Sequence, residues 1–356
     1  MTGSASPLSA DVGILLINTG TPDTPNTPDV RRYLRQFLGD PRVLDMPPLA
    51  RWLLLELIIL PTRPAKSAHA YKQIWTEQGS PLRLHGYNLA QALQNQLGGG
   101  TQVRLAMQYG NPSIPSAIDE LSALGIDRLV VVPLFPHYAA ASYGSAAAAV
   151  LAHAEKRWVL PSLHVVPPFW HEPEFLHAVA EQARKQIAEF QPDHVLFSYH
   201  GLPERHCTRT DTTGQTCLKS PNCCDNLVIA NRNCYRAQCF GTSRALVAEL
   251  GLEAQHVTTA FQSRLGKVPW IRPYTDEKVV ELAKQGVKKL LVLEPSFVAD
   301  CLETLEEIGI RAKADFESQG GGELRLVPSL NAENLWVAAL AHIVGKSAAG
   351  WLSAAE

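Results

Sequence analysis

The apolar and polar positions of this chain alternate between two patterns. Val12–Asn18 (VGILLIN) is a continuous apolar run, as expected of a strand buried on both faces. Val103–Met107, Arg128–Leu134, His194–Ser198 and Lys289–Leu293 are further runs of this kind. Between them, Ser116–Leu124, Glu174–Glu189, Thr242–Leu250 and Asp276–Gln285 carry the spacing of amphipathic helices. Strands that alternate with helices predict parallel sheets in an α/β fold. The Gly-Gly-Gly runs at 98–100 and 320–322 punctuate elements and read as turns.

The pattern also repeats itself. Residues 14–22 (ILLINTGTP) and 195–203 (VLFSYHGLP) are each an apolar strand, a polar step and then Gly-x-Pro. Residues 129–145 and 289–304 are each a strand, a Pro-containing turn and a helix. Both pairs come in the same order, which predicts two similar α/β lobes. Ligands of open parallel sheets sit beyond the carboxyl ends of the strands. Four turns should therefore surround one cleft: Thr19–Pro22, Pro136–Ser145, His200–Pro203 and Pro295–Glu303. In this arrangement Thr19 is the counterpart of His200 and faces it across the gap.

With 356 residues the chain can form two lobes, each with a core of its own. Charged residues make up 19% and the net charge is −2, without a basic block, so nucleic acid is not an expected partner. No G-x-G-x-x-G follows the first strand and no phosphate loop occurs, so no nucleotide cofactor is expected. The opening MTGSASPLSADVG lacks the layout of a signal peptide, and a cytoplasmic protein is expected. The most apolar run, Leu49–Leu60, is too short to span a bilayer and is broken by Arg51 and Glu56. A peripheral membrane contact through it stays open, as does the oligomeric state.

Two features carry chemistry. His200 directly follows a buried strand and would project into the cleft, although a histidine there can also simply bond its own turn. Asp300, Glu303 and Glu307 stand at i, i+3 and i+7, one face of an α-helix that opens after a strand. An acidic first turn ordinarily serves the helix dipole. Aimed into a cleft, such a line would hold some of its carboxyls protonated, and it could relay protons or feed a cation inward. Histidine with carboxylates suits a divalent first-row metal, ferrous iron included. Neither an H-E-x-x-H nor a G-x-S-x-G motif is present. Leu49–Leu60, Tyr71, Trp75, Tyr138, Tyr143 and Trp270 could line a flat macrocycle, though each alone reads as core.

At these residues the sequence resembles the ferrochelatases. NTGTP with VRRYLRQFLGDPRV, then GSPL (79–82), PHYAAASYGS (136–145), SYHGLP (198–203), PWIRPYTDE (269–277) and SFVADCLETLEE (296–307) follow the family's order from about Asp11 to Gly345. The resemblance implies two Rossmann-like, chelatase-like lobes, with a porphyrin between them as substrate and ferrous iron as the second substrate. It implies that His200 and Glu303 are the catalytic pair and handle the iron, with Asp300 and Glu307 in the acidic relay. Leu49–Leu60 would form the apolar lip (about 46–62), and Thr19, Tyr138 and Trp270 would lie near the porphyrin. The lobes would be 11–165 and 166–330, followed by a C-terminal helix and tail, 331–356. A cobalt or nickel chelatase of the same fold, or a non-catalytic haem or iron–sulfur carrier, are the rivals. Nothing in the sequence distinguishes protoporphyrin from coproporphyrin.

Six of the seven cysteines lie between Cys207 and Cys239, in an insert of about 204–240. In a cytosolic chain this points to metal or redox chemistry rather than to disulfides. Zinc is less expected because C-x-x-C knuckles are absent, and plain reduced thiols remain an option. Some bacterial ferrochelatases carry a 2Fe–2S cluster in this region, so the resemblance favours one. The expected ligands are Cys217, Cys224, Cys234 and Cys239, with Cys223 as the substitute for Cys224. Cys301 stands apart and reads as a small core or pocket residue.

Overall fold

The computed structural model describes residues 12–266 and 268–352. The opening residues, including Asp11, and the end of the tail lie outside the described residues, so the expectations placed on them are not addressed. Eight strands form two sheets. β1 (Val12–Thr21), β2 (Thr101–Gly110), β3 (Arg128–Pro133) and β4 (Ser162–Val165) are ordered 2-1-3-4. β5 (His194–His200), β6 (Val257–Gln262), β7 (Lys289–Leu293) and β8 (Glu323–Leu326) are ordered 6-5-7-8. All neighbouring strands are parallel. The second sheet repeats the first, as the internal echo predicts. β1 pairs with β5 in the repeat, and β3 with β7.

The two central strands are the most apolar because both of their faces are covered. Along β1, Leu15 and Ile17 pack on helix Ile114–Ala123, while Ile14 and Leu16 face the opposite side. In the second sheet Leu196, Ala260 and Leu290 pack with Val279 and Leu282 of helix Thr275–Lys284. The remaining faces do not form private cores, as two independent lobes would. Ile14, Leu16, Phe197, Tyr199 and Trp336 belong to one continuous core that crosses between the halves. Helix Asn334–Ser347 joins them, packing on Pro81–Leu97 of the first half and on Pro173–Phe190 of the second. Its Trp336 is fully buried.

Matching glycines close the ends of the central strands. Gly20, next to last in β1, has φ 115°, and a Cβ there would lie 1.8 Å from the Tyr109 carbonyl oxygen on β2. Gly201, its counterpart after β5, would place a Cβ 2.7 Å from the Gln262 carbonyl oxygen on β6. Both positions admit only glycine, because a neighbouring backbone passes where a side chain would begin.

The apolar run at 49–60 is helical. A continuous helical path from Pro48 to Ile74 contains it, with a π-turn at Leu55–Ile59. Leu55 and Leu60 are buried beside Tyr33 and Tyr71, whereas Leu49, Trp52, Leu57 and Ile58 are each more than half exposed. Among the described residues no helix is long and apolar enough to cross a membrane.

Candidate active site

His200 is the last residue of β5 and is half-buried. Its Nδ1 lies 2.7 Å from the carbonyl oxygen of Gly201. A carbonyl can only accept, so Nδ1 carries the hydrogen, and in the neutral ring Nε2 carries the free lone pair. The adjacent glycine lets the chain pass under Trp270, whose ring would sit 3.2 Å from a Cβ at 201. Trp270 is held there by a bridge to Pro203 and by its indole N–H, which donates to the Leu265 carbonyl (2.8 Å). The rings of Phe297 and His200 lie 6.4 Å apart.

The acidic segment departs from the expected α-helical face. The helical turns begin at Leu302, and Glu303–Ala312 is a π-helix. The Lys313 N–H, for example, donates to the Ile308 carbonyl, an i→i+5 bond. Glu306 and Arg311, five apart, form an ion pair across this wider turn (2.9 Å). Asp300 lies before the helix and is buried. Its oxygens accept from the Thr304 hydroxyl (3.1 Å), the Ser329 N–H (3.2 Å) and the Asn331 amide (2.8 Å). Those bonds anchor the helix start to the loop after β8, and Asp300 precedes the helix rather than sharing an α-helical face with Glu303 and Glu307.

Glu303 and Glu307 do share one place. Glu307 accepts from the Ser263 N–H (2.9 Å) and hydroxyl (2.5 Å). Ser263, at φ 65°, turns the chain after β6 so that both donors point at the carboxylate. Burial pushes the Glu307 carboxyl above its ordinary range. Ser263, His200 and Arg311 oppose that shift, and Glu303 adds to it. His200 and Glu303 therefore both act on Glu307. On its other side Glu303 faces the first lobe, where its charge adds to the burial that pushes the Tyr33 and Tyr71 phenols upward. Arg63 is half-buried at the same gap. Burial lowers its pKa, Glu303 opposes this, and among the described residues it has no ion pair.

Gln262 is a functional-site residue that sequence reasoning missed. It ends β6 in register with His200. Ser198 donates to its side-chain carbonyl (2.5 Å), so its amide nitrogen points the other way and donates to the Glu303 carbonyl (3.1 Å). It thus ties the strand that carries the imidazole to the helix that carries the carboxylates. Glu294, just after β7, is also new. It is buried, and burial holds its carboxyl well above the usual range. The buried His137 joins the lobes instead: its Nε2 lies 2.9 Å from the Thr242 hydroxyl. Thr242 donates to the Trp170 carbonyl, so the imidazole is the donor to Thr242, and burial lowers its pKa to about 3.

Of the expected porphyrin neighbours, Trp270 stands beside His200. Thr19 lies near the end of β1 and is half-buried, and among the described residues no hydrogen bond joins it to His200. Tyr138 bridges the lobes, its N–H donating to Gln238 (2.7 Å), and its ring leans on Tyr143. Tyr71 and Trp75 pack edge to face in the core behind the lip. The foot of the lip is tied to the cysteine insert through Asp45, which pairs with Arg205 (3.0 Å) and Arg209.

None of the seven cysteines is in a disulfide. Contact with Cys207 is the first cause that pushes the Cys234 thiol up to about 11, and Cys224 also touches it. Burial, then the neighbouring Cys234, raises the Cys217 thiol. Cys234 thus lies among Cys207, Cys217 and Cys224, and the Cys223 and Cys224 sulfurs are 3.7 Å apart. Cys239 is fully buried and interacts with the Tyr235 hydroxyl and with Cys234 and Cys224. Among the described residues no three of His, Cys, Asp and Glu converge as a ready-made metal site.

Comparison with known proteins defines the class first. SirB from Bacillus subtilis with Fe3+ superposes with a TM-score of 0.55 at 12% identity, covering 95% of this chain and 96% of that one. The sirohydrochlorin chelatase SirB from Bacillus subtilis subspecies spizizenii, in complex with cobalt, gives 0.53 at 12%, covering 95% of each. The fold is therefore the two-lobed α/β fold of the chelatases. At the sequence level, the Ferrochelatase family model matches residues 11–348. Proteins named ferrochelatase from Coxiella burnetii (strain CbuG_Q212) and Legionella pneumophila (strain Lens) are 47% and 46% identical over 336 residues. These matches span 94% of this chain in both cases, and 94% and 98% of the relatives. The chain belongs to the ferrochelatase family.

The raised Glu307 carboxyl has a consequence for stability. A carboxyl whose folded-state pKa is raised binds its proton more tightly when folded, so its contribution is full below the ordinary carboxylate range. That contribution is lost as pH rises through the folded value. Glu307→Gln, which cannot ionise, should gain stability relative to the parent as pH rises from about 4 to about 8. Urea midpoints at the two pH values measure this, and a gap that does not change with pH would contradict it.

Proposed function

We propose that this chain inserts ferrous iron into a porphyrin and releases two pyrrole protons, in the last stages of haem assembly. Family membership supports the reaction. What supports the mechanism is that His200 and Glu303 both act on Glu307, with the His200 hydrogen committed at Nδ1 and its Nε2 lone pair free. A porphyrin cannot accept the metal until its pyrrole nitrogens lose their hydrogens. His200 Nε2 accepts a pyrrole proton, and the backbone bond at Nδ1 stabilises the imidazolium that forms. Glu303 meets the incoming cation and, with Glu307, passes charge between the centre and solvent. Asp300 keeps the helix start in place.

The remaining parts suit a flat, largely apolar substrate. Trp270, Thr19 and Tyr138 border the cleft, and the exposed apolar side chains of the lip offer a greasy mouth for the macrocycle. Arg63, a guanidinium without an ion pair, suits a carboxylate on the porphyrin edge. The lobes are read as 11–165 and 166–330, with 331–356 closing them. A cytoplasmic setting, with the lip free to touch a membrane surface, agrees with this layout.

His200→Ala and Glu303→Gln should each slow anaerobic iron insertion by about 10²–10⁴-fold while porphyrin binding changes little. Absorbance on metallation and fluorescence quenching on binding measure the two. A His200→Ala protein with near-parental turnover would remove the basis of this mechanism.

The insert is proposed to hold a 2Fe–2S cluster. Its buried, free thiols match the donor chemistry of such a group, which would brace the insert. Cys207, Cys217 and Cys224 around Cys234 are the preferred ligands, in place of the quartet that includes Cys239. Protein purified without oxygen should show visible absorption with iron and sulfide in equal amounts. Cys234→Ser should lose both, and Cys239→Ser should keep them. Colourless, sulfide-free parent protein would refute the cluster.

A further inference from the structure

Glu294 has no part in the mechanism above, yet its surroundings single it out. It is 7% exposed just after β7, neither carboxyl oxygen meets a partner in hydrogen-bond geometry among the described residues, and the Gln262 side chain is the donor nearby. An ionised carboxylate is costly to bury in that condition, whereas a neutral acid is tolerated. The charged groups around it do not help. Glu307, Asp300 and Glu303 all disfavour its ionisation, and only the Gln262 side chain favours it. One Gln262 amide hydrogen is already committed to the Glu303 carbonyl.

Glu294 also lines a cavity of about 20 Å³, together with Gln182, Phe297 and Ser329. About 10–15 Å³ on this measure is room for one water, provided it finds polar partners. The acid, the Gln182 amide and the Ser329 hydroxyl are such partners. Gln182 is half-buried, so the cavity leads from the acid toward the protein's edge.

We propose that Glu294 is the proton store of the metal-insertion site: it holds a proton while the site is free of metal and releases it, through the cavity behind it, when a divalent cation reaches Glu303 and Glu307. The proposal rests on the site assigned above. The step is a single proton transfer. The carboxyl O–H bond breaks, the proton leaves by way of the cavity, and the carboxylate that remains offsets one of the two positive charges. The arriving cation reverses the local balance, because the charge now nearest the acid favours its ionised form. When the metal departs within the product, the acid takes a proton back. Glu294 is thus a positioning residue for charge rather than a group that touches the porphyrin.

Infrared spectroscopy of the full chain tests this with manganous ion, which prefers carboxylate and imidazole to thiolate and so avoids the cysteine insert. At neutral pH the metal-free protein should show the carbonyl stretch of a buried protonated carboxyl, and Glu294→Gln should lack it. Saturation with manganese, followed by its electron paramagnetic resonance, should bleach the band. Proton release per bound manganese should fall by about one in Glu294→Gln. Absence of the band in the metal-free parent would overturn the proposal, as would a band unchanged in manganese-loaded protein. If Glu294→Gln does not fold, the parent's band followed from about pH 5 to about pH 9 decides, since its disappearance below neutrality means an ionised acid. Glu303→Gln separates the two assignments. Manganese affinity unaffected by that change contradicts the site itself, while the resting band still reports on Glu294.

Discussion

Crowding of carboxyl groups beside an imidazole is the constraint from which the rest of this structure follows. Glu303, Glu307 and Glu294 gather at the carboxyl ends of β5, β6 and β7, where solvent is scarce. Like charges so placed cannot all ionise cheaply. The protein answers with fixed donors at Glu307 and with a web through Gln262 that holds helix to strand, while burial pushes the Glu294 carboxyl well above its usual range. A corner of this kind is poised for a cation, because a divalent charge relieves the repulsion that the fold sustains without it.

The π-helical turns at Glu303–Ala312 are part of that answer. Regular α-helical spacing would have put Asp300, Glu303 and Glu307 on one stripe. The observed geometry removes Asp300 from the stripe, uses it to pin the helix start, and widens the turn so that Glu306 reaches Arg311. The acidic helix also packs on helix Leu60–Ile74 of the first lobe, which places Glu303 at the interlobe gap opposite Tyr33, Arg63 and Tyr71.

Much of this was legible in the sequence, for identifiable reasons. β1, β3, β5 and β7 are apolar on both faces, and their runs stand out. β4 and β8 escaped notice because they are short edge strands with polar residues, such as Ser-Leu-His-Val and Glu-Leu-Arg-Leu. β6, Val-Thr-Thr-Ala-Phe-Gln, is likewise an edge strand, and with it went Gln262. The repeat did locate His200 at a strand end, and the motif order located Glu303. What one-dimensional spacing could not convey was the π-helix, since the residues themselves read as an ordinary helix. Nor could it convey which thiols meet, because Cys207 reaches Cys234 only through the fold of the insert. Glu294 looked like the end of an apolar strand, and only its burial without a partner marks it.

The central claim is that His200 and Glu303 act as one unit on a substrate held between the lobes. A double-mutant cycle on anaerobic ferrous-iron insertion tests it most directly, comparing the parent, each single variant and His200→Ala combined with Glu303→Gln. Residues that serve one step as a unit lose most of their effect with the first removal, so the combined variant should be little slower than the slower single one. Losses that multiply would mean that the two side chains work independently, and the account would fail.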